Sequence, residues 1–310
     1  MHDDGRVLAD VVEYLICPVC GDPLAQDDRG LRCPSRHSFD VARQGYANLL
    51  PGNARPGTAD TPEMVRAREE FLTAGHFSPM ADALRRLVAA TLQDSGTRDG
   101  CLLDAGAGTG YYLKAVLDAP EVEKTAGLAL DISKHAARRA ARAHPRIGAI
   151  VADLWRPLPV ADGAAIAVLN VFAPRNAAEF HRVLRADGPL VVVTPSSRHL
   201  GPLVDALGLL KVDDQKSERT DAALADHFAL VTREELEFEA SLTHEEILTL
   251  VGMGPSAHHI ATDTLAARVS ELPDPYPAPL SFVLSHFRPK PSPGRPDRIP
   301  PEAPAGRPQE

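Results

Sequence analysis

Three observations predict an α/β protein with a parallel sheet, fronted by a small metal-binding module. From Cys101 onward, short apolar runs alternate with helix-patterned segments, the pattern of a parallel sheet with helices on both faces. The first of these runs ends in a glycine-rich turn, DAGAGTG. Near the start of the chain, CPVCGDPLAQDDRGLRCPSRH gathers three of the four cysteines and a histidine. At 310 residues and 44% apolar, the chain can bury a sizeable core and is expected to form two domains.

The cysteine-rich stretch comes first. Its spacing is Cys17-x2-Cys20, twelve residues, then Cys33-x3-His37. Thiolates and imidazole suit tetrahedral Zn2+, and two residues between cysteines let both sulfurs converge on one ion. Gly21, Pro23, Asp27, Asp28 and Gly30 are turn formers, so the intervening segment reads as a tight hairpin. A disulfide or a redox Cys-x-x-Cys is the alternative. The N-terminus MHDDGRVLADVVEYL is acidic and lacks the long apolar run of a secretory signal, so one structural zinc is the preferred reading.

The elements then follow in order. Residues 1–50 are read as the zinc-binding module, 51–95 as a linker and helical segment, 96–287 as the sheet domain and 288–310 as a disordered Pro-rich tail. Pro51 to Pro62 is rich in proline and glycine. Thr61 is the expected N-cap of the helix that follows, with Pro62 in its first position, a break at Gly75 and resumption after Pro79. The runs CLLDAG, TAGLALDI, IGAIVAD, GAAIAVLNVF and PLVVVTP read as strands. YYLKAVLDA, SKHAARRAARAH and NAAEFHRVLRADG read as the helices between them. RHLGPLVDALGLL and HEEILTLVGMG read as later helices, and LVTREELEFEASL and LSFVLSHFRP as late strands. The tail carries eight prolines in its last 23 residues and no apolar period.

The glycine turn carries the chemistry. Asp104, Gly106, Gly108 and Gly110 stand at the end of the first sheet strand, where glycines let a sharp turn approach a ligand at a helix N-terminus. Dinucleotide enzymes and methyltransferases share such turns. Asp131 ends the second strand, where a carboxylate accepts both hydroxyls of a ribose. Asp153 ends the third and could accept from an adenine amino group. Three acids at successive strand ends suit an adenosine nucleoside; the alternative for each acid alone is a helix cap.

The D-x-G-x-G-x-G spacing resembles motif I of the class I, Rossmann-like methyltransferases. Taken with CPVC…CPSRHSFDVARQGYANLLP, DTPEMVRAREEFLTAGHF, APRNAAEFHRVLRADG and TPSSRHL, the chain from about Cys17 to Arg288 resembles the guanine-N1 methyltransferases of large-subunit ribosomal RNA. The composition and GMGPSAHHI are most similar to the branch that protects macrolide producers (tylosin or mycinamicin type). The resemblance implies S-adenosylmethionine and one structural zinc as cofactors, and 23S rRNA at its helix-35 hairpin as the partner. It also implies an arrangement as a two-fold homodimer and a zinc module that presents Arg29, Arg32, Arg36 and Arg43 to RNA; the N-terminus without a signal pattern and the want of a membrane-length apolar run make a cytoplasmic setting the expectation. Tyr46 is then a candidate stacker or a core residue. For the cofactor it implies Phe77, the glycine turn with Thr109, Tyr112, Leu113 and His199, beside Asp131 and Asp153. Phe77 stands where relatives often carry tyrosine, and the turn lacks their cysteine and glutamate; the backbone cradle survives both changes. Asn170, at the end of the fourth strand, could hold the acceptor base, and His199, His258 and His259 are candidate proton acceptors. A housekeeping rRNA guanine-N1 methyltransferase acting on a neighbouring guanine, a small-molecule methyltransferase and an inactive RNA-binding relative are the competing readings.

The net charge of −9 argues against an RNA partner only until its distribution is read. Asp213–Glu246 holds eleven acids and three bases, whereas Arg29–Arg55 has five arginines against Asp40 alone. Lys134–Arg146 adds five bases, two histidines and no acid. Such patches can meet phosphate, though a solvated helix face explains the second equally well. No run approaches the roughly 18 apolar residues of a membrane span.

Overall fold

The computed structural model describes residues 6–27, 30–52, 59–95, 100–209, 216–254 and 260–291. Its strands are β1 (Ala25–Asp27), β2 (Gly30–Arg32), β3 (Ser38–Phe39), β4 (Tyr46–Asn48), β5 (Cys101–Ala105), β6 (Ala126–Asp131), β7 (Ile147–Val151), β8 (Ala165–Val171), β9 (Leu190–Pro195), β10 (Phe228–Leu242) and β11 (Tyr276–Pro289). Its helices are α1 (Arg6–Ala9), α2 (Pro62–Thr73), α3 (Ser78–Ser95), α4 (Tyr111–Leu117), α5 (Lys134–Ala143), α6 (Ala177–Val183), α7 (Gly201–Leu207), α8 (Lys216–Leu224), α9 (His244–Gly252) and α10 (Thr262–Ser270).

Local signals place several of these ends. The Thr61 hydroxyl accepts from the Met64 N–H at 3.3 Å, and Pro62 opens α2. Ser133 caps α5 in the same way. Thr243 and Glu246 form a reciprocal capping box on α9. The helix interrupted at Gly75 (φ +87°) resumes at Ser78, so Pro79 lies inside its first turn rather than ahead of it.

Eight strands form one sheet in the order β10-β11-β9-β8-β5-β6-β7-β4. The pairs from β9 to β4 are parallel, while β11 and β10 run antiparallel at the far edge. Counted from β5, the seven strands stand in the order 3-2-1-4-5-7-6, the class I methyltransferase arrangement that the resemblance implies. β5, β7 and β8 are buried at every position, because both faces of the parallel part are covered. Alternate side chains go to opposite faces: Leu102 and Ala129 join one core, Leu103, Leu128 and Leu130 the other.

A second sheet, β1-β2-β3, holds the cysteine-rich hairpin. This small sheet does not stand apart. Leu8, Val11, Leu15, Leu24 and Leu31 share a core with Leu128, Leu130 and Ile150 of the large sheet. Gly148 in β7 makes room for Val11: a Cβ at 148 would lie 2.2 Å from the valine Cγ2. β4, from the end of the segment read as the zinc module, pairs with β7 and becomes the edge of the large sheet. Tyr46 is half-buried there, packed on the core, which is the second of its two readings. At the other end β11 runs through Pro289, into the segment read as tail, and residues 292–310 lie outside the described residues. Among the described residues, no helix is long and apolar enough to cross a membrane.

Candidate active site and metal centre

The metal centre is built from two tight turns. Gly21 (φ +75°) lets its N–H reach the Cys17 carbonyl at 2.8 Å, while the Cys17 N–H reaches the Asp22 carbonyl at 2.8 Å. The second turn repeats the device with Arg36 at φ +66°, whose N–H donates to the Cys33 carbonyl at 2.9 Å. The ligand atoms converge. Cys20 Sγ is 3.6 Å from Cys33 Sγ, and His37 Nδ1 is 3.6 Å from Cys17 Sγ and 3.4 Å from Cys33 Sγ. All four donor atoms lie within 4.8 Å of one another. Tetrahedral bonds of about 2.1–2.3 Å to one zinc imply edges of this length, so the donor set fits a structural ion. The cysteines are free thiols, which sets the disulfide aside. Arg32, Arg36 and Arg43 are exposed around this centre; Arg29 lies outside the described residues.

The second site is a cavity of about 450 Å³ at the carboxyl ends of the parallel strands, where open α/β sheets bind ligands beside the point at which strand order reverses. That point lies between β5 and β8. The glycine turn is pinned from below: the Gly106 and Ala107 N–H groups both donate to the Leu130 carbonyl at 2.9 Å. Gly106 has φ +89°, and a Cβ on it would lie 2.3 Å from the Ala173 Cβ, so only glycine fits. Asp131 accepts from the Gly108 N–H with one oxygen and from the Ser133 N–H with the other, each at 2.8 Å. Burial raises its pKa, and these two bonds oppose the rise. Each oxygen keeps a lone pair for a ribose hydroxyl.

Seven of the eleven residues expected at the cofactor line this cavity: Phe77, Gly106, Gly108, Thr109, Tyr112, Asp131 and Asp153. Asp104, Gly110, Leu113 and His199 do not reach its wall. Asp104 is buried in β5 beneath the turn with neither carboxylate oxygen hydrogen-bonded, and burial pushes its pKa up to about 8. Gly110 packs against Ala140 of α5, and Leu113 is wholly buried in the core. His199 is half-buried one ring further out. Its Nδ1 accepts from the Ser281 N–H at 3.3 Å, and its ring lies 6.1 Å from Phe77 and 4.7 Å from Phe282. Asn170 is fully buried, its amide nitrogen donating to the carbonyls of Ala105 at 3.0 Å and Pro174 at 2.9 Å. His258 and His259 lie outside the described residues; among those described, no histidine lines the cavity.

Residues that the sequence pattern did not single out close the opposite wall. Arg68 of α2 donates to Asp60 and, at 2.9 Å, to the Met253 carbonyl, and all three residues line the cavity. Their signal was faint: the apolar period of α2 hides a charged residue on its inner edge. Trp155 and Phe172 line it too, 69% and 41% exposed. Trp155, the single tryptophan, sits two residues from Asp153, and that adjacency was a usable cue. The basic run on α5 is partly consumed by structure. Arg146 donates to the carbonyls of Leu117, Val122 and Thr125, and Arg139 pairs with Glu69 at 3.1 Å. Lys134, Arg138 and Arg142 remain exposed.

Comparison with known proteins decides the family. The zinc-ribbon family described as "RlmA, N-terminal" matches residues 15–56. A Micromonospora griseorubida protein assigned as a 23S rRNA (guanine-N1) methyltransferase is 51% identical over 294 residues, 90% of this chain and 99% of that one. The chain belongs to this family. A Streptomyces fradiae member named 23S rRNA (guanine(748)-N(1))-methyltransferase is 49% identical over 283 residues, 91% and 99% of the two chains. A Bacillus subtilis member is 30% identical over 258 residues, 81% and 89%. As a 23S rRNA guanine-N1 methyltransferase, the protein is an enzyme that uses S-adenosylmethionine and carries one zinc. The cysteine–histidine cluster and the glycine-cradled cavity are groups of side chains that suit those two cofactors.

Proposed function

We propose that this protein methylates N1 of one guanine in the helix-35 hairpin of 23S rRNA, the position that the Streptomyces relative's name gives as 748, and thereby protects the ribosome against macrolides of the tylosin or mycinamicin type. The observation that carries this reading is identity of 49–51% along nearly the full length of the two actinomycete relatives, against 30% to the Bacillus one. The reading includes a cytoplasmic setting and a two-fold homodimer whose halves flank the RNA.

S-adenosylmethionine supplies an electrophilic methyl on a sulfonium, and the chain's residues hold and orient what lies around it. Asp131 would hold the ribose hydroxyls and Asp153 the adenine amino group, while Phe77 and Tyr112 give the pocket an apolar wall. The turn from Gly106 to Gly110 offers backbone rather than side chains to the ligand. Positioning and exclusion of water supply much of the acceleration of an in-line displacement. The acceptor N1 must lose its proton, and Asn170 is poorly suited to take it, since a neutral amide is scarcely basic; its nitrogen is committed to two backbone carbonyls. In the zinc module Arg32, Arg36 and Arg43 meet RNA phosphate, as single-stranded loops are gripped by phosphate contacts around splayed bases.

Transfer of a tritiated methyl to unmodified 23S rRNA and to its helix-35 hairpin tests this reading. Primer extension then stops at one guanine, because N1-methylation blocks pairing. Cofactor binding without transfer to either RNA would overturn it in favour of a small-molecule acceptor.

A further inference from the structure

Phe172 follows directly on Val171, the last residue of β8. Its ring meets Phe77, Tyr112 and Phe282 at centroid distances of 6.5, 6.2 and 5.7 Å. It is nevertheless 41% exposed and lines the cavity. Its φ is +55°, a conformation that a bulky residue rarely adopts. The sheet fixes that backbone, since the Phe172 N–H donates to the Val193 carbonyl at 3.1 Å. Packing alone would favour a buried ring on a relaxed backbone. The chain instead presents a partly exposed aromatic ring to the cavity, held by its neighbours, and strain of this kind collects at ligand-binding positions.

The position of this surface indicates its ligand. Ala173 abuts Gly106, so the ring stands beside the glycine turn. Asp131 ends β6 and Asp153 follows β7, on one side of β5, while Phe172 extends β8 on the other. The nucleoside of the methyl donor is assigned to the first side. The second is left for the acceptor, and Asn170 beneath it has no amide hydrogen to spare. A guanine that reacts at N1 must leave its stack and its pairing, and an aromatic ring replaces the stacking that it loses.

We propose that Phe172 is the platform on which the acceptor guanine stacks when it enters the cavity. The proposal rests on the RNA reading above. Its test compares Phe172→Leu, which keeps an apolar side chain but removes the π face, with Phe172→Tyr, which restores the ring. Each full-length variant is assayed for methyl transfer to the unmodified helix-35 hairpin, for S-adenosylmethionine affinity by calorimetry, and for folding by thermal melt. The expected result is a fall in kcat/KM for the hairpin of about 10- to 100-fold in the leucine variant, with S-adenosylmethionine affinity unchanged and the tyrosine variant close to wild type. Should the leucine variant not fold, Phe172→Met fills the same space with a flexible side chain and is read in the same way. Unchanged kcat/KM in a folded variant without the ring overturns the proposal. So does a loss explained wholly by weaker S-adenosylmethionine binding. A wild-type protein that transfers no methyl to the hairpin instead overturns the RNA reading, and the platform with it.

Discussion

The metal centre and the glycine-cradled cavity are assembled by opposite means. The ribbon strands β1, β2 and β3 hold three, three and two residues, and β1 is exposed throughout. Convergence of four side chains on one point shapes the exposed end of that region, beyond the core it shares with the large sheet. The cavity stands on strands buried along their whole length, and its walls come from α2, the turn after β5 and the end of α9. A region ordered by an ion should fail all at once when the ion is withdrawn. One ordered by packing should yield in small steps.

Removing zinc should therefore have the largest effect. Binding of structural zinc in small peptides is worth about 10–16 kcal/mol, so Cys33→Ser or a strong chelator is expected to abolish hairpin methylation while leaving measurable cofactor binding. Loss of both together would show that the two regions are one energetic unit; metal analysis with calorimetry separates the cases. Next comes Asp131→Ala, which deletes the proposed ribose acceptor and the pin on Gly108. Charge-assisted bonds are worth about 1.5–3 kcal/mol, so the cofactor Kd should rise about 10- to 100-fold, with zinc content unchanged.

Gly106→Ala probes packing alone. Its Cβ would meet the Ala173 Cβ on a backbone at φ +89°, and overpacking costs about 1–3 kcal/mol, read as a lower denaturant midpoint. Adding Ala173→Gly should recover part of the loss. The mildest test is Asp104→Asn. Burial keeps the Asp104 carboxyl protonated up to about 8, whereas in the unfolded chain it ionises near about 4. Between those values the folded protein holds the extra proton, so the carboxyl makes stability fall as pH rises. The melting temperature of the cofactor-free wild type should drop from pH 5 to pH 8 more steeply than that of the variant.

The two regions also differ in how far the sequence reveals them. Ligand spacing is local, so Cys17, Cys20, Cys33 and His37 are readable as a set. The inner strands β5 to β9 are likewise local apolar runs, and Asp131 and Asp153 declare themselves by ending such runs. The far wall of the cavity is non-local: Arg68 and Met253 meet across 185 positions, and no periodicity marks that contact. β4 was hidden for a related reason. Its three residues, Tyr46–Asn48, carry too little pattern to announce a strand, and only pairing with β7 makes them one. Asn170 and His199 were legible as polar residues at strand ends, but not the backbone partners that each of them meets.

That inconspicuous strand joins the two regions. Asn48 stands beside Val151, and the Leu49 N–H donates to the Val151 carbonyl at 3.0 Å. Asp153 follows two residues later. The chain leaving the metal centre is thus stitched to the strand that delivers a cavity carboxylate. Between the arginines around the ion and the mouth of the cavity the chain passes from the small sheet into the edge strand of the large one, and a shared core packs the two sheets together. With the arginines gripping RNA phosphate as proposed, an enzyme built this way would carry a ruler: it would choose its nucleotide by distance from a gripped backbone, with little need to read the bases between.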